Sequence, residues 1–448
     1  MAELGSAVGL SMDISTVIIG LTALIGLYMA WNIGANDVAN SMADAVGSKA
    51  LSIKQAVILA GICEFAGAVL VGSHVTETVR KGIVDPSLLA NMPGLREGEA
   101  AAIIVIGMAA ALLCAAIWLN LATFIGMPVS TTHSIVGAVA GFGIVAVGVN
   151  AVNWTKMSQI VASWFISPLF GGICAFVIFK FISRRILGRT RPARAAIIYT
   201  PFIVFLLVMV VTLATVYKGL KHVIGNIPWL TDNVTLLLAV GLALVTAYAS
   251  RIYVRAKLKD KRELPIAKQL EAVENVFVPL VIISSCSVAF AHGANDVANA
   301  IGPFAAIVHI LQTGDVAMKV GVPFWVLCLG GAGIVLGLAS YGHKVMTTVG
   351  TKICEITPSR GVAADIAATA TVLICTRLAL PVSTTHTLVG AIMGIGLARG
   401  LGGIDGEVTR RIFGSWFITV PIAAILSIIL FVIGRAVFLE MLIPVIAG

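Results

Sequence analysis

The sequence predicts an all-α polytopic membrane protein of about 12 transmembrane segments, arranged as two inverted-topology repeats with broken helices at the midplane. Three observations carry that prediction. The 448 residues are 59% hydrophobic and 11% charged, with mean hydropathy +1.02, and apolar runs of roughly 17 to 25 residues, enough to span a bilayer as helix, recur along the chain. GANDVANS at residues 34–41 returns as GANDVANA at 293–300, and PVSTTH at 128–133 returns at 381–386, offsets of 259 and 253 residues. The basic residues gather in loops, two of which are separated by two apolar runs.

A closed barrel, the other structure that spans a bilayer, needs alternation at about every second position. Stretches such as 193–217 and 417–438 show none. The first residues carry Glu3 and Asp13 and lack a basic n-region, so the first apolar segment is expected to stay as a span and not to be a secretory signal. Five spans are expected near 14–47 (interrupted at GAND), 55–75, 100–126, 134–150 and 158–182. Two follow at 197–217 and 233–250. Five more, at 274–308 (again interrupted), 323–341, 362–380, 388–399 and 412–436, mirror the first set. The organisation is therefore a first repeat over 1–190, two linking spans with flanking basic loops over 191–268, and a second, inverted repeat over 269–448.

Lys180, Arg184, Arg185, Arg189, Arg191 and Arg194 fill one basic loop, and Arg251, Arg255, Lys257, Lys259, Lys261, Arg262 and Lys268 fill the other. Two spans apart, they fall on the same side, which the positive-inside rule makes cytoplasmic. Counting outward puts Lys49, Lys54, Lys344, Lys352, Arg360, Arg399, Arg410 and Arg411 inside as well, and both termini outside the cytoplasm. The net charge of +9 is then topological and calls for no nucleic-acid partner. Five spans per half make the repeats inverted, so both copies of each motif approach the midplane from opposite faces. SWFIS at 163–167 and SWFIT at 415–419 extend the repeat to the end of each half.

The motifs carry chemistry. Each PVSTTH puts a proline before Ser, Thr and Thr and then an apolar run, the pattern of a helix start. Free N–H groups and hydroxyls there form an anion site. Ser130, Thr131 and Thr132 facing Ser383, Thr384 and Thr385 offer donors for a tetrahedral oxyanion, where N-capping alone would need one hydroxyl. Asp37 and Asp296 lie in apolar surroundings, where an unpaired carboxylate is costly and therefore usually functional. With Asn36, Asn40, Asn295 and Asn299 they supply hard oxygen ligands for a small cation such as Na⁺, and either carboxylate is alternatively a proton carrier. Gly34 and Gly293 let the backbone leave helical geometry. A polar site shared between duplicated halves is the design of secondary transporters.

Four further residues are candidates for coupling. Glu64 sits in an apolar run (AVILAGICEFAGAVLVG), where a buried charge points to a site. Asp365 follows TPSRGVAA and reads either as a functional acid or as a first-turn acid complementing the helix dipole. His133 and His386 read as proton relays or as partners of nearby backbone. Arg377 has Phe124 as its counterpart and reads as snorkelling or pairing. The seven cysteines lack metal-type spacing and read as small buried hydrophobes. An intramembrane hydrolase is disfavoured: no GxSxG elbow supports the serines, and a one-site enzyme has no use for duplicated polar motifs. No enzyme, no cofactor and no metal beyond a cotransported cation are expected.

These residues resemble the PiT family of inorganic phosphate transporters, chiefly its sodium-coupled branch. The resemblance covers nearly the whole chain and rests on GANDVANS and GANDVANA, both PVSTTH motifs, QAVILAGICEFAGAVLVGSHVTETVRKGI at 55–83 and VASWFISP at 161–168. It implies phosphate held by Asp37, Asp296, Ser130, Thr131, Thr132, Ser383, Thr384 and Thr385, with Na⁺ beside it at Asn36, Asp37, Asn40, Asn295, Asp296 and Asn299. It further implies a sodium/phosphate symporter of the cell membrane, working by alternating access. Glu64 matches a functionally important family glutamate, whereas Asp365 stands where the family pattern favours Glu. Proton-coupled phosphate carriers and sulfate permeases of the same family are the alternatives. Homodimerisation is a family property, with no interface marked in this sequence.

Overall fold

The computed structural model describes residues 13–72, 83, 88, 92–217, 231–316, 321–377, 382–400 and 403–447. Among these the regular structure is helical, with no strand. The first half comprises α1 (Ile14–Ser41), α2 (Ala43–Gly47), α3 (Ile53–Val71), α4 (Glu99–Phe124), α5 (Thr131–Ala146) and α6 (Trp154–Leu187). Two linking helices follow, α7 (Pro192–Thr215) and α8 (Asp232–Lys257). The second half comprises α9 (Ile266–Thr313), α10 (Phe324–Tyr341), α11 (His343–Thr347), α12 (Pro358–Arg377), α13 (Thr384–Arg399) and α14 (Gly406–Ala447).

Nine of the described helices are long and apolar enough to cross a membrane. Their ends follow local chemistry. Ser52 and Gln55 form a capping box at α3, Asn153 and Thr231 cap α6 and α8, and Pro192 opens α7 where its missing N–H costs nothing. Gly314, at φ +70°, ends α9.

The breaks at the midplane fall at the two PVSTTH motifs, where α5 and α13, each 16 residues long, begin. The first GAND widens α1 into a π-turn over Gly34–Val38. The second does not interrupt its helix, contrary to the sequence expectation: α9 runs unbroken for 48 residues through Gly293. The glycines serve packing instead. A Cβ on Gly34 would lie 1.8 Å from the Ile334 carbonyl oxygen, and one on Gly293 would lie 2.3 Å from that of Glu64, so each glycine admits a helix of the opposite half.

The halves consequently interlock. α1 packs on α10 while α9 packs on α3, and α6 packs on α13 while α14 packs on α5. Each half's first helix seats the other's second, and each half's last helix covers the other's PVSTTH helix. The Gln269 amide joins the basic loops at one end of the molecule: its Oε1 accepts from Ala193 N, and its Nε2 donates to Arg262 O and Leu264 O. That agrees with their expected common side.

Candidate functional site

Ser130 and Ser383 fill the capping role, each hydroxyl accepting from the N–H three residues on, His133 and His386, at 3.3 Å. With the caps satisfied, the threonine hydroxyls are free to face inward. Thr131 donates from both its hydroxyl and its N–H to Asp37 Oδ2. Thr385, from the other half, donates its hydroxyl to Asp37 Oδ1. One carboxylate therefore joins both helix starts, and it is buried.

The remaining motif residues close around this centre in pseudo-symmetric pairs. Asn40 Nδ2 donates to Thr385 Oγ1 at 3.3 Å, and its counterpart Asn299 donates to Thr132 Oγ1 at 3.2 Å. Thr384 Oγ1 donates to Asp296 Oδ2 at 3.3 Å, as Thr131 does to Asp37. Asn36 is committed to the approach to α5: it donates to Thr123 Oγ1 and Met127 O and accepts from Val129 N. Asn295 donates to Asp296 Oδ1 at 2.7 Å. The Oδ1 of Asn40, buried and without a described donor, is the amide oxygen best placed to ligate. A cavity meets this set at Asp37, Asn40, Ser41, His292, Thr384 and Thr385.

The symmetry is also broken beside Asp296. His292 Nε2 lies 2.6 Å from Asp296 Oδ2, and its Nδ1 lies 3.1 Å from Glu64 Oε2, with all three side chains buried. The counterpart of His292 is Ile33, and the residue facing Gly34 as Glu64 faces Gly293 is Ile334. An acid–imidazole pair at one crossing between the halves thus replaces an aliphatic pair at the other. Sequence reasoning passed over His292, although the repeat itself signals it: HGAND departs from IGAND at that residue. Ligand atoms of Asp37, His292 and Asp296 lie within 4.8 Å of one another, a separation that one small cation can bridge.

The other candidates lie elsewhere. The rings of His133 and His386 meet each other edge-on, centroids 4.7 Å apart. Trp164 lies beside His133, and Trp416 stacks on His386 at 3.7 Å. The SWFIS and SWFIT repeats thereby place an indole on each PVSTTH histidine. Trp416 Nε1 also donates to Pro128 O. Asp365 accepts from Ser284 and Ser285 on α9. Its helix lines the Asp37 cavity only one turn further on, at Thr369. The side chain of Arg377 and the whole of Pro381 lie outside the described residues. All seven cysteines are free thiols.

A family model described as the phosphate transporter family matches residues 33–427. A Thermococcus kodakarensis protein described as a "Putative phosphate permease" is 44% identical over 92% of this chain and 96% of its own length. The chloroplastic inorganic phosphate transporter 2-1 of Arabidopsis thaliana is 41% identical, over 91% of this chain and 70% of its own length. A solved structure titled the sodium-dependent phosphate transporter superimposes with a TM-score of 0.81 at 41% identity, covering 94% of this chain and 100% of that one. The relatives are transporters and not enzymes, and the chain, a multi-pass membrane protein of interlocked inverted repeats, belongs to the phosphate transporter family.

Proposed function

We propose that this chain imports inorganic phosphate across the cytoplasmic membrane, coupled to Na⁺ by alternating access around the Asp37 centre. The observation that carries the proposal is the bridging of Thr131 and Thr385, one hydroxyl from each half, by a single buried carboxylate. Phosphate docks on the two helix starts, where N–H groups and the dipole favour an anion. Na⁺ binds at Asp37, Asp296 and the amide oxygens of Asn40 and its neighbours, offsetting the repulsion between the carboxylates and the anion. A rocking of the interlocked halves exposes the site to each side in turn. In this reading the basic loops are cytoplasmic and both termini lie outside.

Asp37 also favours phosphate over sulfate. Phosphate near neutral pH keeps a P–OH that donates to a carboxylate, whereas sulfate has no proton to give. A buried acceptor left unpaired disfavours the wrong ligand strongly. The Glu64–His292–Asp296 chain supports proton coupling as the second reading, since imidazole between two carboxylates is a chain along which a proton can pass.

Radiolabelled phosphate uptake into proteoliposomes decides between these readings. Uptake that requires an inward Na⁺ gradient and resists excess sulfate supports the symporter. Uptake driven in K⁺ by an imposed pH gradient transfers the coupling to protons, and displacement by sulfate reassigns the substrate.

A further inference from the structure

Asp44 is fully buried, and neither of its carboxylate oxygens receives a donor from any described residue. Its neighbour on the facing helix is a second acid: α2 packs on α12, where a Cβ at Gly361, one turn before Asp365, would lie 3.2 Å from that of Asp44. Ser284 and Ser285 donate to Asp365 Oδ2 at 2.5 and 2.9 Å, while Asp365 Oδ1 receives no described donor. Among the described residues no Lys, Arg or His forms an ion pair with either acid.

The surrounding titratable groups are otherwise engaged or contribute no positive charge at this point. From α9 comes Cys286 and beyond α11 comes Cys354, both free thiols that bring no positive charge. Arg360 on α12 binds Glu355, and Lys344 on α11 binds the Tyr341 hydroxyl. Glu274 on α9 accepts from Thr357 Oγ1 and from Ser359 N and Oγ, and His343, Lys352, Lys54, Lys180, His386 and Arg399 also lie on packed elements. Two adjacent carboxylates in so apolar a place cannot both be ionised, because their repulsion adds to the cost of desolvating each.

We propose that Asp44 and Asp365 form a proton-binding site distinct from the phosphate centre, a single proton shared between two carboxyl groups and latching α2 to α12. The proton comes from water and leaves to water, the carboxyl O–H being the only bond made or broken. α2 directly follows the segment that carries Asp37, and α12 lines the Asp37 cavity at Thr369, so the latch joins two elements that border the transport site. Gly361 keeps the helices close: a Cβ there would lie 3.2 Å from that of Asp44.

The assignment stands whether or not transport is Na⁺-coupled, and infrared difference spectroscopy of the full chain in lipid tests it. At neutral pH the wild type should show the carbonyl stretch of a protonated carboxyl that is lost in Asp44→Asn and in Asp365→Asn. The band should persist between zero and saturating NaCl. Retention of the band in both variants overturns the proposal. Loss of the band on adding Na⁺ at constant pH also overturns it, since the pair would then hold an alkali ion. Should either substitution prevent folding, alkaline titration of the wild type keeps the test open. The band should then bleach in one one-proton step, and its absence at neutral pH is the contrary result.

Discussion

Thr385 donates its hydroxyl to Asp37 across 348 residues of sequence, and that bond ties the acid of one repeat to the anion-binding helix start of the other. A hydrogen bond to a charged group contributes about 1.5–3 kcal/mol. Thr385→Val is therefore expected to raise the apparent KM for phosphate by roughly 10- to 150-fold, at about 1.4 kcal/mol per decade. Ser383→Ala removes a cap, worth about 0.5–2 kcal/mol, and should lower thermal stability more than phosphate affinity. Uptake kinetics beside melting curves separate the two roles.

His292 holds Asp296 and is itself held by Glu64. Because Glu64 acts on Asp296 through His292, Glu64→Gln and His292→Gln should each weaken Na⁺ activation of uptake, and the double variant should be little worse than the more damaging single one. Residues in one network couple by about 0.5–3 kcal/mol. Additive losses would mean that the two act separately.

Gly34 and Gly293 are where the halves interlock. Alanine at either meets backbone oxygen of an opposing helix, and overpacking of this kind costs about 1–3 kcal/mol or more. Both variants should yield less folded protein and a lower Tm, while Gly20→Ala, with nothing within 4 Å of its new Cβ, should be neutral.

Na⁺ should raise the Tm of the purified protein where K⁺ does not, and phosphate should raise it further only in Na⁺. Ligand at 100 times its Kd stabilises by about 2.7 kcal/mol. Stabilisation by phosphate in K⁺ alone would contradict the proposed role of Na⁺ in offsetting the repulsion between the carboxylates and the anion.

Much of this was legible in the sequence. Helical spans, the duplication and the convergence of Asp37, Asp296 and the threonines all follow from hydropathy and from motifs that repeat with nearly constant offset. What escaped depends on contacts between distant residues. The uninterrupted course of α9 follows from packing: Gly293 admits Glu64, so the residue that suggested a break marks a close approach. His292 stood one position outside the repeated octapeptide and became visible only beside Glu64. Asp44, three residues past GANDVANS, drew no reading from the sequence, and only the fold brings its helix against that of Asp365.

The central claim is that one site binds both ions, and the most direct test is uptake of radiolabelled Na⁺ into proteoliposomes with and without phosphate. The account predicts that phosphate accelerates Na⁺ entry in the wild type, in fixed proportion to its own entry, and that Asp37→Asn abolishes the acceleration. Na⁺ entry indifferent to phosphate, or phosphate-dependent entry preserved in Asp37→Asn, would contradict it.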